Sequence, residues 1–376
     1  MILTFSLGLL FLVHGSWSTS PPPQVHQTHP LLLEPSCNNS RVLSVAGLAL
    51  EKINEDRKEG YIFILNRVAD VLEHHQTDSG SMYYLTLDVL ETNCHVLSKK
   101  HWKDCKMGLP HYSVYGQCKA IFYVNLPRRI LYLPAYNCTI RPVSREKIFR
   151  LCPNCPGFVS NNISDPWIFQ TVSEFLENLN KEIAVGKKFH LFKVIRVRGQ
   201  LLIAPTYFME FLVTESPCTE ALPEQCLQPP ADAQPIGICV LTLRGNRIKK
   251  YVPGMCEFFQ SQPTSAPESH SPEHQIPQKL ASSMDAPPLE GPKGSVQFLP
   301  DPFVGKIEDD KEKKPIVTFP AHVSLTTESL GEVLHLPSHF LLEKEELPIV
   351  LPFPEGSSSN ECPGPAEYTN SLIILP

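Results

Sequence analysis

The sequence has no long hydrophobic run after its first residues. The apolar segment at residues 2–13 is shorter than the roughly 20 residues that a membrane-spanning helix needs. Small residues follow it at Ser16-Trp17-Ser18, where a signal peptidase could cut, although the usual positive charge at its start is missing. We therefore predict a signal peptide at residues 1–18, a secreted, extracellular mature chain, and no membrane partner.

The chain also lacks an excess of basic residues. It carries 33 Lys and Arg against 39 Asp and Glu, a formal net charge of -6 at pH 7. Binding to nucleic acid needs a basic surface, so this balance predicts no nucleic-acid partner. No His-Glu-x-x-His segment occurs among the 14 histidines, which argues against zinc catalysis. We predict a monomer that is not an enzyme and has no catalytic residues, cofactor or metal of its own.

What the sequence does contain is an internal repeat. Each copy begins with apolar residues at helical spacing, followed by four strand-like runs, which is the pattern of an α+β unit. The first helix is predicted from caps at Asn38, Asn39 or Ser40 to about Arg57, and the second from Asp165-Pro166. The predicted strands are residues 61–68, 83–89, 117–125 and 130–139, then 189–198, 206–214, 236–243 and 249–259.

The 12 cysteines follow the same repeat. Those of the first copy correspond to those of the second with offsets of 124, 121, 121 and 118. An even number in a secreted chain indicates disulfides, although sequence alone leaves their connectivity open. Nearest-neighbour pairing within each copy is the simplest choice, and it gives Cys94–Cys105, Cys118–Cys138, Cys218–Cys226 and Cys239–Cys256. Cys152–Cys155 closes a small ring between the copies, which leaves Cys37–Cys362.

The predicted organisation is two domains followed by a tail. Domain 1 covers residues 37–145, an interdomain linker 146–160, domain 2 residues 161–260, and a Pro-rich C-terminal region, tethered by Cys362, residues 261–376. Residues 261–294 are rich in Pro, Ser, Gln and Glu, which predicts a disordered or extended segment. Residues 317–325 and 347–353 are apolar enough to dock weakly on the domains. N-glycosylation is predicted at the sequons of Asn38, Asn137 and Asn162.

The most specific feature is Cys152-Pro153-Asn154-Cys155-Pro156, called the knuckle below. Proline fixes φ and removes a backbone donor, so a disulfide across two intervening residues closes a small, rigid ring with Asn154 at its tip. A redox Cys-x-x-Cys pair is one alternative, although such pairs typically lie at a helix start. Metal ligation would need further ligands, and none is evident. A structural staple between domains is the third alternative. We predict a binding edge, and hence an inhibitor or a carrier.

A helix followed by antiparallel strands with two consecutive disulfides resembles a cystatin domain, and two in tandem resemble the fetuin family. The resemblance implies two tandem cystatin-like domains, each a helix packed on an antiparallel sheet, before a largely disordered C-terminal region. These segments carry it: Tyr84-Leu-Thr-Leu-Asp-Val-Leu-Glu-Thr-Asn-Cys94-His-Val-Leu, Ser113-Val-Tyr-Gly-Gln-Cys118-Lys-Ala-Ile-Phe, Leu131-Tyr-Leu-Pro-Ala-Tyr-Asn-Cys138-Thr, Gly294-Ser-Val-Gln-Phe-Leu-Pro and Glu361-Cys-Pro-Gly-Pro.

The resemblance also implies a function: inhibition of astacin-type zinc metalloproteinases, notably the egg enzyme ovastacin. Such an inhibitor prevents premature hardening of the egg coat and so supports fertilisation. In these relatives the knuckle reads Cys-Pro-Asp-Cys-Pro, its aspartate faces the protease zinc, and cystatin hairpins fill the cleft on either side. In this chain the zinc-facing position is Asn154.

Two further patterns bear on the choice of function. Cystatins that block cysteine proteases use a Gln-x-Val-x-Gly hairpin, whereas this chain has Gln76-Thr-Asp-Ser-Gly80 and Gln200-Leu-Leu-Ile-Ala204. These altered motifs predict no inhibition of papain-like proteases. The alternative function is a plasma carrier of mineral ions without protease inhibition, which a dense acidic strand face would favour. Only Asp88 and Glu91 lie near the strand predicted to be exposed, so we prefer the inhibitor.

Overall fold

The computed structural model describes residues 32–76, 80–158, 166–183, 188–201, 205–215, 233–245, 250–259, 291–301, 318–323, 332–333, 348–354 and 359–376. Predictions that concern residues outside these ranges include the signal peptide at 1–18, glycosylation of Asn162, and the pair Cys218–Cys226. Among the described helices, none is both long and apolar enough to cross a membrane.

The described residues form two main sheets with three helices. In chain order the elements are β1 (Leu32–Leu33), α1 (Ser40–Asp56), β2 (Tyr61–His75), β3 (Ser81–His95), β4 (Val114–Asn125), β5 (Ile130–Pro142), α2 (Arg145–Leu151), β6 (Gly157–Phe158), α3 (Pro166–Glu182), β7 (Phe189–Leu201), β8 (Pro205–Glu215), β9 (Gly237–Gly245), β10 (Lys250–Tyr251), β11 (Gly254–Phe258), β12 (Lys293–Phe298), β13 (Glu332–Val333) and β14 (Ile349–Val350). The strand orders are β1-β2-β3-β4-β5-β12 and β10-β9-β8-β7-β6, with β11 also on β9. Single-turn 3₁₀ helices follow β3.

Helix α1 begins and packs as the sequence predicts. The side chain of Asn39 accepts a hydrogen bond from the amide of Arg41 at 2.8 Å, which satisfies one donor at the start of the helix. Its apolar residues fall on one face at helical spacing and pack into the first core. The buried residues of this face are Val42, Val45, Ala46, Ala49, Leu50 and Ile53.

The two copies share a contact that the sequence analysis did not identify. Near the end of α1, the side-chain amide of Asn54 bonds to both the N–H and the C=O of Phe63, at 2.8 and 2.9 Å. Near the end of α3, Asn180 bonds in the same way to Phe189, at 2.8 and 3.0 Å. Each asparagine thus ties its helix to the strand that follows it. The equivalence supports duplication of one helix-and-sheet unit.

Strands β2 and β3 extend well beyond their predicted ranges of 61–68 and 83–89. The pairing of β2 with β3 contains three register shifts, between Tyr61 and Phe63, Leu65 and Arg67, and Val68 and Asp70. Each bulge changes which face the following side chains point to, so alternation over the whole strand is lost. A strand identified by strict alternation therefore ends too early.

The C-terminal region supplies a strand to the first sheet. Strand β12 pairs in parallel with β5, with Gly294 opposite Tyr136. A Cβ atom at position 294 would lie 2.0 Å from the Tyr136 ring, so glycine is needed for this approach. Strand β12 was not predicted, because a parallel partner distant along the chain leaves no local signal. Residues 261–290 lie outside the described ranges.

Two predicted docking segments do contact the first sheet where they are described. Phe319, Ala321 and Val323 are buried, and so is Val350. The last residues add to this packing, since Leu372 is buried in the first core and the amide of Gly364 donates to the carbonyl of Val68 at 2.9 Å. The tail thus covers part of the first sheet.

Five disulfides lie within the described residues, and each joins a pair that the sequence predicts. They are Cys37–Cys362, Cys94–Cys105, Cys118–Cys138, Cys152–Cys155 and Cys239–Cys256. The first links residues 325 apart and attaches the C-terminal region beside the start of α1. Strands β1 and β12 belong to the first sheet but lie outside residues 37–145. The predicted domain boundaries therefore remain a proposal.

Candidate inhibitory edge

The knuckle is built as the continuation of a short helix. Ser144 caps α2 through a bond from the Lys147 amide at 3.5 Å, and Ile148 anchors the helix by being buried. After Leu151, the amide of Cys152 donates to the carbonyl of Ile148 at 2.7 Å. The chain then folds back on itself. The linker predicted at 146–160 therefore includes most of helix α2, which sets the position of the knuckle.

Inside the knuckle, a hydrogen bond and a disulfide close the same turn. The amide of Cys155 donates to the carbonyl of Cys152 at 2.9 Å, and the Cys152–Cys155 bridge spans Cα atoms 5.3 Å apart. Pro156 is buried at the base, whereas Pro153 and Asn154 are exposed. The structure thus places Asn154 at an exposed tip, as the sequence predicts.

Two large apolar side chains lie exposed immediately before the tip. Phe149 is 66% exposed and Leu151 is 63% exposed, both on α2. Single exposed apolar residues are common, but two on the turn that leads into an exposed ring provide contact area for a partner. These two side chains were not predicted from the sequence, since a seven-residue helix carries little periodicity.

The redox alternative for the knuckle does not fit this geometry. Thiolates of redox Cys-x-x-Cys pairs are stabilised at a helix N-terminus, where backbone N–H groups and the helix dipole favour negative charge. Here Cys152 caps the C-terminal end of α2. The dipole at that end disfavours a thiolate, so the helix offers no activation.

The knuckle is also joined to the second sheet. Strand β6 follows it directly and pairs with β7, with Gly157 opposite Gly199 and Phe158 opposite Arg198. The side-chain amide of Gln200 donates a hydrogen bond to the backbone carbonyl of Asn154. The tip is therefore held by α2 on one side and by β7 on the other.

A buried ionic cluster joins the two sheets. Arg196 of β7 pairs with Glu91 of β3 at 2.8 Å, and its guanidinium lies 4.3 Å from the centre of the Tyr61 ring. Glu210 of β8 accepts from Arg198 at 2.6 Å and from the Tyr61 hydroxyl. Charged pairs with little solvent access interact strongly but are costly to separate. This cluster therefore fixes β7 relative to the first sheet.

Burial and neighbouring charges govern the ionisation of this cluster. Burial raises the pKa of Tyr61 well above its ordinary value, and the carboxylate of Glu210 raises it further. Burial alone would lower the pKa of Arg196, but Glu91, Tyr61 and Glu210 outweigh it and raise that pKa. The arginine therefore stays charged and the tyrosine neutral across the physiological range.

His95 lies beside this cluster, at the junction of the two sheets, and its ring is neutral. Its ring is edge-on to Tyr61 at 5.6 Å and stacked on Phe259 at 5.9 Å. Its Nδ1 atom accepts from the Leu97 amide at 3.3 Å. Burial, followed by the charges of Arg57 and Arg196, lowers the pKa of His95 to about 4, while Glu210 and Glu59 oppose this.

We expect acid to destabilise the junction through His95. Its folded pKa lies below its ordinary value of 6.5, so its contribution is fully present above about pH 6.5 and is lost as the pH falls through about 4. In His95→Asn, which keeps an acceptor for Leu97, the unfolding free energy should depend less on pH, by up to about 1.4 kcal/mol per pH unit. Urea unfolding between pH 7.5 and 4 measures this.

The matched control is His101→Asn. His101 accepts from the amide of Lys103 at 3.2 Å, as His95 does from that of Leu97, but its ring is exposed. This control tests whether replacing an exposed imidazole that accepts a backbone amide has the same effect as replacing the buried one. If the unfolding free energy of the parent chain and of His95→Asn depended equally on pH, His95 would not be the group through which acid destabilises the junction.

The acidic residues considered for a mineral carrier are not on an exposed strand, so that expectation is wrong. Asp88 is fully buried and pairs with Arg67 at 2.5 Å and Gln117 at 3.0 Å. Burial raises the pKa of Asp88, although the bonds from Gln117 and Arg67 oppose the shift. Glu91 pairs with Arg196. No group of three or more His, Cys, Asp or Glu side chains suited to a metal occurs among the described residues.

The residues that join the sheets were not singled out from the sequence. Arg196 and Arg198 alternate along a predicted strand, which is typical of a solvated face. Arg196 pairs with Glu91 of the other copy, and only the fold brings these two residues together. Glu210, the partner of Arg198, lies on the neighbouring strand β8. The only hint of these contacts in the sequence was the presence of two arginines on one face of a predicted strand.

The comparisons with known proteins agree with this architecture. The cystatin domain family matches residues 31–126 and 157–235, which defines a protein with tandem cystatin domains. The chain is 44% identical to human fetuin-B over 390 residues, covering 100% of both chains. It therefore belongs to the fetuin family, in the fetuin-B group.

Solved structures of a relative include complexes. Mouse fetuin-B in complex with crayfish astacin is 42% identical, with a TM-score of 0.71, covering 92% of this chain and 98% of that one. A second structure is the inhibitory complex of human meprin beta with mouse fetuin-B. The matched chain of that structure is 41% identical to this one, with a TM-score of 0.71, and the match covers 90% of this chain and 98% of that one.

Proposed function

We propose that this chain is a secreted inhibitor of astacin-type zinc metalloproteinases and not an enzyme. The observation that carries the proposal is the knuckle, a disulfide-closed ring that exposes Asn154 and is held from both sides. Support comes from the complexes of mouse fetuin-B with crayfish astacin and human meprin beta. Ovastacin is the proposed target, and control of egg-coat hardening the proposed role.

The proposed mechanism is occupation of the protease cleft by a preorganised loop. The knuckle enters the cleft and directs the side-chain oxygen of Asn154 to the protease zinc, while Phe149 and Leu151 contact apolar surface beside it. A rigid ring has little conformational freedom left to lose, so binding costs less entropy. The hairpin tips at residues 77–79 and 202–204 lie outside the described ranges.

The proposal also covers the domains, the oligomeric state and the glycosylation of the chain. The two domains, at residues 37–145 and 161–260, act as rigid supports on either side of the linker at 146–160. The chain acts as a monomer. Asn38 is exposed just before α1, and Asn137 lies partly exposed on β5. We keep glycosylation of both, and of Asn162, as part of the proposal for a secreted chain.

Selective inhibition tests the proposed function. We expect the purified chain to inhibit human meprin beta and crayfish astacin and to leave papain largely unaffected, because the papain-type hairpin motifs are altered. In the first hairpin, Gln76 is also engaged by the backbone of Ile349, at 3.0 and 3.1 Å. Inhibition constants for the three proteases, measured under identical conditions, decide the matter. Potent inhibition of papain with none of the astacin-type enzymes would refute the proposal.

A further inference from the structure

The two hairpin glutamines bind other parts of the chain. Gln76 opens the first motif and forms two hydrogen bonds with the backbone of Ile349 in the tail. Gln200 opens the second motif and donates to the carbonyl of Asn154. Equivalent positions of the repeat therefore hold different segments: the first holds the tail and the second holds the knuckle.

The bond from Gln200 falls on the residue at the knuckle tip. The turn itself is closed by the Cys155 amide on the Cys152 carbonyl and by the disulfide, and neither contact involves the carbonyl of Asn154. The pairing of Gly157 with Gly199 holds the base of the knuckle. Gln200 thus adds a contact between the tip and the second sheet.

The strand that carries Gln200 is itself held in place. Val197 is buried in the second core, and Arg198 pairs with Glu210 at 2.6 Å. The guanidinium of Arg198 also lies 4.0 Å from the centre of the Tyr112 ring, which belongs to the first copy. The amide of Gln200 is therefore carried by a strand that is held in place, because a shift of its backbone would disturb the second core, the Arg198–Glu210 pair and the contact with Tyr112.

We infer that Gln200 is a positioning residue, whose amide holds the knuckle tip in the orientation in which Asn154 is presented. The inference rests on the proposed inhibitory function and extends the inhibitory unit to β7. Loss of the bond lowers the fraction of chains whose tip is ready to bind, and the apparent affinity falls with that fraction. One neutral hydrogen bond corresponds to roughly three- to tenfold weaker inhibition.

Two variants remove the donor while keeping the size of the side chain. Gln200→Glu places a carboxylate that cannot donate when ionised, and Gln200→Met replaces the amide by an apolar group of similar length. The matched control is Gln76→Met, which removes the equivalent amide of the first motif. Hydrogen–deuterium exchange at the backbone amides of the non-proline residues between 152 and 158, and the inhibition constant for human meprin beta, are measured for each variant.

We expect both Gln200 variants to exchange faster at the knuckle amides, including that of Cys155, and to inhibit about three- to tenfold more weakly. The melting temperatures of both variants should stay close to that of the parent chain. Gln76→Met should leave exchange at the knuckle amides unchanged, because Gln76 contacts the tail and not the knuckle. Gln200→Lys, which restores a donor, should recover the protection from exchange.

The two readouts separate the inference from the proposed function. If the parent chain fails to inhibit the protease while the Gln200 variants exchange faster, the proposed function is wrong but the contact between Gln200 and the knuckle tip stands. Unchanged exchange at the knuckle in both variants shows that this contact does not hold the tip. Faster exchange with unchanged inhibition, in a parent chain that does inhibit, overturns the positioning role.

Discussion

Replacing Asn154 by aspartate should tighten inhibition of an astacin-family protease by about ten- to a hundredfold, or about 1.4–3 kcal/mol. The exposed tip directs this side chain outward, and the protease zinc is the proposed contact. Zinc in proteins is bound by Cys, His and carboxylate ligands, whereas an amide oxygen is neutral and a poorer donor. The aspartate adds a charge at the metal without changing the shape of the ring.

The measurement is the inhibition constant of each variant against human meprin beta, with folding checked by thermal melting. Asn154→Ala serves as the second variant and should weaken inhibition only modestly, because a weak ligand is being removed. If Asn154→Asp leaves the constant unchanged, the side chain does not meet the zinc. The knuckle would then act as a spacer between two binding domains.

Replacing Arg196 by alanine should destabilise the junction of the two sheets by about 3–5 kcal/mol. The substitution leaves the carboxylate of Glu91 buried without its 2.8 Å partner and removes the cation beside Tyr61 and Glu210. A buried charge that loses its partner retains its desolvation cost. Urea unfolding, followed by the fluorescence of Trp102 and Trp167, measures the change, since these residues lie in different copies.

The matched control is Lys193→Ala on the same strand. Lys193 pairs with Glu59 at 3.0 Å, but its side chain is 55% exposed and that of Glu59 is 82% exposed. An exposed pair contributes at most about 1 kcal/mol, so this change should be small. Equal effects of the two substitutions would show that the cluster adds nothing beyond a surface pair.

The sequence predicted the elements whose signals are local. Helix α1 follows from its cap at Asn39 and its apolar face, and the central parts of the main strands follow from short strand-like runs. The exposed tip of the knuckle follows from prolines that restrict a small ring. In each case neighbouring residues carry enough information to fix the conformation.

The sequence did not predict the features that depend on distant partners. Strand β12 exists because Gly294 permits close approach to Tyr136, which lies 158 residues earlier in the chain. The cluster of Glu91, Arg196 and Glu210 needs both sheets to be in place. Likewise, the contact from Gln200 to Asn154 joins a hairpin to a linker. Polar residues such as these are typical of a solvated surface until the fold assigns them partners.

Competition with a small zinc-binding hydroxamate tests most directly whether the knuckle occupies the protease cleft. The apparent inhibition constant of the chain for human meprin beta is measured at increasing hydroxamate concentrations. If both ligands need the zinc cleft, binding is mutually exclusive, and the apparent constant should rise linearly with hydroxamate. An apparent constant that stays the same at saturating hydroxamate would show that the chain inhibits from another surface, which contradicts occupation of the cleft by the knuckle.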